Sequence, residues 1–157
     1  MSNEERVIVI TGSSSGLGAA LIGNFARKGF VLVINYIIDD QAQELYDRLA
    51  KDVEPSKLMK YKADVADRDQ VKAMFDAILE QFGRIDILVN TAGINRDAPF
   101  MELTDENWDA VVSTHLKGHF VCGQEYVRHN PEREGVIINI GAACGIAGRR
   151  NGANFCS

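Results

Sequence analysis

Five short runs of apolar, largely β-branched residues recur along the chain, and stretches with helical periodicity separate them. They are Arg6–Thr11 (RVIVIT), Phe30–Tyr36 (FVLVINY), the weaker Leu58–Ala63, Ile85–Asn90 (IDILVN) and Gly135–Gly141 (GVIINIG). A run that is apolar at nearly every position suits a strand covered on both faces. Alternating strands and helices build a parallel sheet with helices on either side, a doubly wound α/β fold.

The intervening stretches carry helix signals. Leu17, Ala20, Leu21 and Phe25 share one face, and Gly29 is placed to stop that helix. Asp39 or Asp40 is placed to cap a helix running to about Asp52. Val71, Met74, Phe75, Ile78, Leu79 and Phe82 fall on one stripe at i, i+3, i+4, i+7, i+8 and i+11. Asp67 with Gln70 three residues on has the form of a capping box, and Gly83 ends the stripe. A long helical region is expected from about Thr104 to Asn130, and Ala92–Leu103 is the one long loop.

Composition limits the possible roles. A chain of 157 residues with 46% hydrophobic and 25% charged residues can pack one domain, 1–157. The net charge of −5, with no basic block, argues against a nucleic-acid partner. The polar opening before the first strand has no signal-peptide pattern, and no run has the length of a membrane span, so no membrane partner is expected. Cys122, Cys144 and Cys156 are odd in number and form no C-x-x-C, which suits a reduced, cytoplasmic protein.

The stretch TGSSSGLG, Thr11–Gly18, admits two chemistries. Gly12-Ser13-Ser14-Ser15-Gly16 matches G-x-S-x-G, the turn that presents a serine nucleophile. That reading needs an acid and then a loop histidine, but His115, His119 and His129 all fall in one helical region. Alternatively, Gly12, Gly16 and Gly18 let backbone approach a phosphate at the start of a helix. A plain turn of small residues is the third possibility.

Two further motifs bear on the choice: Asp64-Val65 after the third run and Asn90-Thr91-Ala92-Gly93 after the fourth. With TGSSSGLG, they resemble the TGxxxGxG, D-V and NNAG motifs of the short-chain dehydrogenase/reductase family, Thr91 replacing the second Asn. Within that family, Ala92–Val112 is most similar to the 3-oxoacyl-acyl-carrier-protein and acetoacetyl-CoA reductases. The resemblance implies a Rossmann-like sheet of order 3-2-1-4-5, with a nicotinamide cofactor at the carboxyl ends of its strands. It also assigns roles by position. Gly12, Ser13, Ser14, Ser15, Gly16, Leu17 and Gly18 would surround the pyrophosphate and adenosine ribose. Asp64 would accept from the adenine amino group, with Val65 beside it; a solvated strand-end carboxylate is the alternative. Asn90, Ala92 and Gly93 would line the nicotinamide ribose and support the central strand.

Neither of the family's cofactor selectors is present. The place of the acid that holds the ribose hydroxyls is Tyr36, and the next position, often Arg in NADPH users, is Ile37. The missing acid tilts the choice to NADP(H) over NAD(H). Ser13 and Ser14 could donate to a 2′-phosphate, while Asp39 and Asp40 would oppose it.

By the same resemblance, the family's reaction uses an asparagine, a serine, a tyrosine and a lysine. Here the asparagine position is His115, the serine position Ala142 and the tyrosine position Phe155. The lysine position falls two residues past Ser157, and the family's C-terminal elements are lacking, so the domain is expected to be incomplete there. General acid catalysis contributes about 10²–10⁴-fold and one oxyanion donor about 10²–10³-fold, so these replacements remove most of the chemical assistance. Two functions remain. One is an NAD(P)(H)-dependent oxidoreductase acting on 3-oxoacyl thioesters. The other is a non-catalytic nucleotide-binding or scaffold homologue.

An uncovered sheet edge would make the chain a homo-oligomer. His115 and His119 have metal-ligand spacing without a third ligand nearby in sequence, so no metal is expected. Arg149-Arg150 would meet a phosphate of an acyl carrier or lie as a solvated loop pair. Cys144 and Cys156 flank the substituted site without a role in the chemistry.

Overall fold

The computed structural model describes residues 6–132 and 134–157; the polar opening, 1–5, lies outside them. Five strands, β1 (Val7–Ile10), β2 (Val31–Tyr36), β3 (Leu58–Lys62), β4 (Ile87–Asn90) and β5 (Val136–Asn139), form one sheet of order β3-β2-β1-β4-β5. All four strand pairings are parallel. The helices are α1 (Gly16–Ala26), α2 (Asp39–Leu49), α3 (Arg68–Phe82), α4 (Asp105–Val112), α5 (Gly118–Arg128) and the short α6 (Cys144–Ala147).

The pleat of β1 divides the interior in two. Val7 and Val9 pack with Val71, Met74, Phe75 and Ile78 of α3 and with Val121 and Tyr126 of α5. Ile8 and Ile10 pack on the other face with Ile22 of α1 and with Leu45 and Leu49 of α2. A strand with helices on both faces has no solvent side, which is why its run is apolar throughout.

Two helix expectations are corrected. In α1, Gly18 and Ile22 are the buried positions, Leu21 and Phe25 pack partly, and Leu17 and Ala20 face outward. A Cβ on Gly18 would lie 2.7 Å from both the Gly12 carbonyl oxygen and the Ser13 Cα. Only glycine allows this contact, and the contact fixes the rotation of α1. In α2, Ile38 is the N-cap, without a side-chain cap bond, and the helix ends at Leu49. Asp39 and Asp40 occupy the first turn instead, where a negative charge still favours the helix.

The start of α3 follows its motif in altered form. Asp67 accepts from the backbone N–H groups of Asp69 (2.9 Å) and Gln70 (3.2 Å). The Gln70 side chain donates back to the Asp67 carboxylate (2.9 Å) and accepts the N–H of Asp64 (2.9 Å), not that of Asp67. Gly83 ends the helix in the left-handed region at φ 70°. The region 104–130 is helical, but a five-residue π turn, Ser113–Lys117, separates α4 from α5. Where α5 begins, a Cβ on Gly118 would lie 2.8 Å from Val65 Cγ2, so glycine lets the helix close on the end of β3. Among the described residues no helix is long and apolar enough to cross a membrane.

Candidate cofactor and substrate site

The chain leaves β1 toward β2 and β3, then returns to the opposite side for β4 and β5. The carboxyl ends of β1 and β4 therefore diverge into a crevice, where ligands bind in open α/β sheets. A cleft of about 310 Å³ lies there, between the glycine turn, the end of β2, Val65 and residues 91–94. Beside it is a cavity of about 600 Å³, and Thr91, Ala92, Gly93 and Ile94 form a wall of both.

The turn is built by close approach. Gly12 has φ +62°, and a Cβ there would stand 2.7 Å from Ala92 Cα. Gly16 has φ +54° with open space where its Cβ would be. Ser15 precedes α1 without a side-chain cap bond, and no acid stands in the first turn. The first N–H groups of the helix are thus left to an anion. These features fit a dinucleotide pyrophosphate: bare backbone, helix-end donors and no competing carboxylate.

Thr11 and Asn35 hold the turn in place, and sequence reasoning missed both. The Thr11 hydroxyl oxygen accepts the N–H groups of Thr91 (3.0 Å) and Ala92 (3.1 Å), and the Thr91 hydroxyl donates to the Thr11 carbonyl. Asn35 is buried; its Oδ1 accepts the Gly12 N–H (2.9 Å) and its Nδ2 donates to the Ala63 carbonyl (2.9 Å). The available signal was a lone amide inside the apolar run VLVINY.

Of the residues assigned to the cofactor, Gly12, Ser14, Ser15, Gly16, Leu17, Gly18, Tyr36, Val65, Ala92 and Gly93 line the cleft. Ser13 does not. It lies fully buried beneath the turn, its Oγ accepting the Asn35 N–H (3.2 Å), and cannot reach a 2′-phosphate as a donor from there. Asp64 turns its carboxylate to the N–H of Ala66 (2.9 Å), beside the cleft. Asn90 is buried between strands and donates to Asn139 (2.8 Å) across the β4–β5 pair. At the end of β2, Ile37 and Ile38 are exposed and form an apolar lip with Leu17. Asp39 beyond them pairs with Lys62 at 2.5 Å.

The three substituted positions converge in the larger cavity, whose lining includes His115, Ala142 and Phe155. His115 comes from the π turn, packed so closely that a Cβ on Gly93 would lie 2.4 Å from its Cε1. Its Nε2 faces the N–H (2.9 Å) and the carbonyl (2.8 Å) of Ile94, and its ring meets Phe155 edge-on at 4.9 Å. His119 lines the same cavity; burial, then the neighbouring His115, lower its pKa, so it stays neutral at pH 7.

Phe155 is held from above. The Arg149 guanidinium lies 4.7 Å over its ring and pairs with Asp97 at 2.5 Å. Arg149 is thus tied to these partners at the surface, its side chain 36% exposed and that of Asp97 40%. Asn154, also missed in the sequence, is buried and donates to the carbonyls of Arg96 (3.0 Å) and Asn107 (3.2 Å). The chemistry of the cavity wall is limited accordingly. It offers imidazole and amide groups and the hydroxyls of Thr91 and Ser157, which donate to the Thr11 and Ala153 carbonyls, while Ala142 and Phe155 bring no hydroxyl. Among the described residues no group of three or more His, Cys, Asp or Glu side chains is arranged to hold a metal.

A model of the short chain dehydrogenase family matches residues 6–157. The chain is 38% identical over 160 residues to the 3-oxoacyl-acyl-carrier-protein reductase FabG of Thermotoga maritima, covering all of this chain and 63% of that protein. It is 36% identical over 150 residues to the enzyme of the same name from Staphylococcus aureus, covering 94% of this chain and 60% of that one. A short chain dehydrogenase of Bacillus anthracis has a similar solved structure, with TM-score 0.91, 30% identity, and coverage of 98% of this chain and 64% of that chain. The chain thus spans less than two thirds of the length of these relatives.

Proposed function

The chain belongs to the short-chain dehydrogenase family, and on that premise we propose a nicotinamide-dependent oxidoreductase of the 3-oxoacyl-thioester type. The cleft takes the dinucleotide and the adjoining cavity takes the acyl thioester. The observation that carries this reading is the shared wall at residues 91–94. It puts a phosphate cradle and a substrate-sized cavity side by side at the sheet's switch point. Bound there, the cofactor supplies hydride to a carbonyl carbon.

The chain's own residues divide the remaining work. Gly12, Gly16 and Gly18 give backbone access to the pyrophosphate. Thr11 and Asn35 fix that backbone. Ala92 and Gly93 bound the nicotinamide end, and His115, pinned to Ile94, shapes the substrate side. We read the cofactor as NADP(H) before NAD(H). No acid stands at Tyr36 to hold both ribose hydroxyls, and Lys62 offsets the charge of Asp39. Ser14 remains the serine able to donate to a 2′-phosphate.

A second reading rests on Ala142 and Phe155: a nucleotide-binding homologue that has lost the reaction. With neither hydroxyl present, turnover is expected to be slow. Titration with NADPH and NADH, followed by cofactor oxidation with acetoacetyl-CoA, separates the two. Binding with turnover supports the oxidoreductase, and binding without turnover leaves the homologue. If neither cofactor binds, both fail.

A further inference from the structure

Two of the three cysteines meet beside the cavity. Cys144 opens α6, two residues after Ala142, and Cys156 follows Phe155. The residues around them, Ala142 and Gly145 on one side and Phe155 and Ser157 on the other, line one cavity, and the Cys144 side chain is in contact with the Cys156 thiol. Both side chains are partly exposed, whereas Cys122 is buried. The segment between them is already folded back on itself. The Gly148 N–H donates to the Cys144 carbonyl (2.8 Å), the Gly152 N–H to the Arg149 carbonyl (3.2 Å) and the Cys156 N–H to the Gly152 carbonyl (2.9 Å). Neither thiol has a part in the reaction proposed above.

We propose that Cys144 and Cys156 are a dithiol modification site that closes to a disulfide by exchange with a low-molecular-weight disulfide, covalently fastening the segment that carries Ala142 and Phe155. The exchange balances with oxidised glutathione. One cysteine thiolate attacks a glutathione sulfur, forming a mixed disulfide and releasing glutathione thiolate. The second cysteine thiolate then attacks the protein sulfur of that bond, forming Cys144–Cys156 and releasing the second glutathione. The protein dithiol loses two electrons and two protons, and the oxidant becomes two glutathione thiols.

The surroundings set the rate. Burial, then contact with Cys144, push the Cys156 thiol above its ordinary value, and Arg149 acts against this. The nucleophile is the thiolate, so closure accelerates as pH rises above neutrality. Cys122, pushed up to about 12 by burial, stays out of the exchange while the protein is folded. The pair responds to disulfide stress whether or not a cofactor binds, so this inference is independent of the proposed function.

The test is intact mass and non-reducing peptide mapping of the folded protein after incubation with oxidised glutathione across a pH series. The expected product has lost two hydrogens, joins the peptides of Cys144 and Cys156, and reverts with dithiothreitol. Cys144→Ser and Cys156→Ser should each stop with one glutathione on the remaining partner. Oxidation should raise the Tm of the parent protein but not of either variant. A parent that accumulates glutathione adducts without losing two hydrogens overturns the proposal. So does a disulfide through Cys122, a covalent dimer, or no reaction under conditions that oxidise the unfolded chain.

Discussion

Burying an amide inside an apolar strand is costly unless its polar atoms find partners, and Asn35 joins three segments with them: the turn at Gly12, its own strand, and the end of β3 at Ala63. Replacing Asn35 with Ala strands two backbone groups at about 1–3 kcal/mol each. The expected loss is roughly 2–6 kcal/mol in chemical denaturation, with weaker cofactor binding because Gly12 is no longer held. Unchanged stability would mean that the turn holds itself. Phe155 invites the opposite experiment. A Tyr in its place sits under the Arg149 guanidinium, 4.7 Å from the ring. A nearby cation favours the phenolate, so its pKa should fall below the usual value of about 10. Ultraviolet titration of Phe155→Tyr and of Phe155→Tyr with Arg149→Met should show the lower midpoint only with Arg149 present. The paired change Ala142→Ser with Phe155→Tyr returns both hydroxyls, and should raise acetoacetyl-CoA reduction more with Arg149 intact than without it.

At the scale of elements, the three turn glycines answer to different constraints. Gly12→Ala and Gly18→Ala both drive a Cβ to within 2.7 Å of backbone atoms, so both should disturb the junction of β1, α1 and β4 and lower the Tm. Gly16 meets nothing, and its cost is the left-handed φ alone, about 1–2 kcal/mol for an L-residue. A bulky residue there should instead fill the cleft, so Gly16→Leu should abolish binding of NADPH and NADH while the protein still folds cooperatively. Retained affinity would remove the phosphate-cradle assignment. Helix α3 offers a pH test. The Gln70 backbone N–H, then the Gln70 side chain, hold the Asp67 carboxyl below its ordinary 3.8. A depressed carboxyl stabilises fully above its unfolded pKa and loses that contribution as pH falls through the folded one. Asp67→Ala should therefore lower the Tm at neutral pH, and the gap to the parent should close in acid.

At the scale of the whole molecule, the sheet is unevenly covered. β1 is buried throughout, whereas Val136, Ile137 and Ile138 of β5 are 49%, 38% and 40% exposed. Among the described residues β5 pairs only with β4. Its outer backbone groups and apolar side chains therefore face water, an arrangement that favours association. Sedimentation velocity should show the purified chain as oligomers, and replacing Ile137 and Ile138 with Lys should shift it toward monomer. A sharp monomer peak for the parent chain would show that this edge needs no partner.

The strands and the alternating helices were legible in the sequence because they are written in local signals, whereas the strand order 3-2-1-4-5 followed from the family resemblance of the motifs. A β-branched run declares a strand, buried throughout in β1 and exposed in β5, and the TGSSSGLG, Asp64-Val65 and Asn90–Gly93 motifs each stand at the carboxyl end of one strand. The stripe of α3 likewise reads correctly because six positions repeat one period. Tertiary structure decided what no local signal records. Leu17 belongs to the cleft and not to the core because Gly18 must face Gly12. Ser13 lies under the turn because the backbone of Asn35 occupies its hydroxyl. Arg149 lies over the face of Phe155 because Asp97 is within its reach. Thr11, Asn35 and Asn154 tie segments far apart in the chain, and the meeting of Cys144 with Cys156 depends on a backbone that folds back twice between them. A side chain's partners across the fold set its role in these cases, and those partners become neighbours only when the sheet closes.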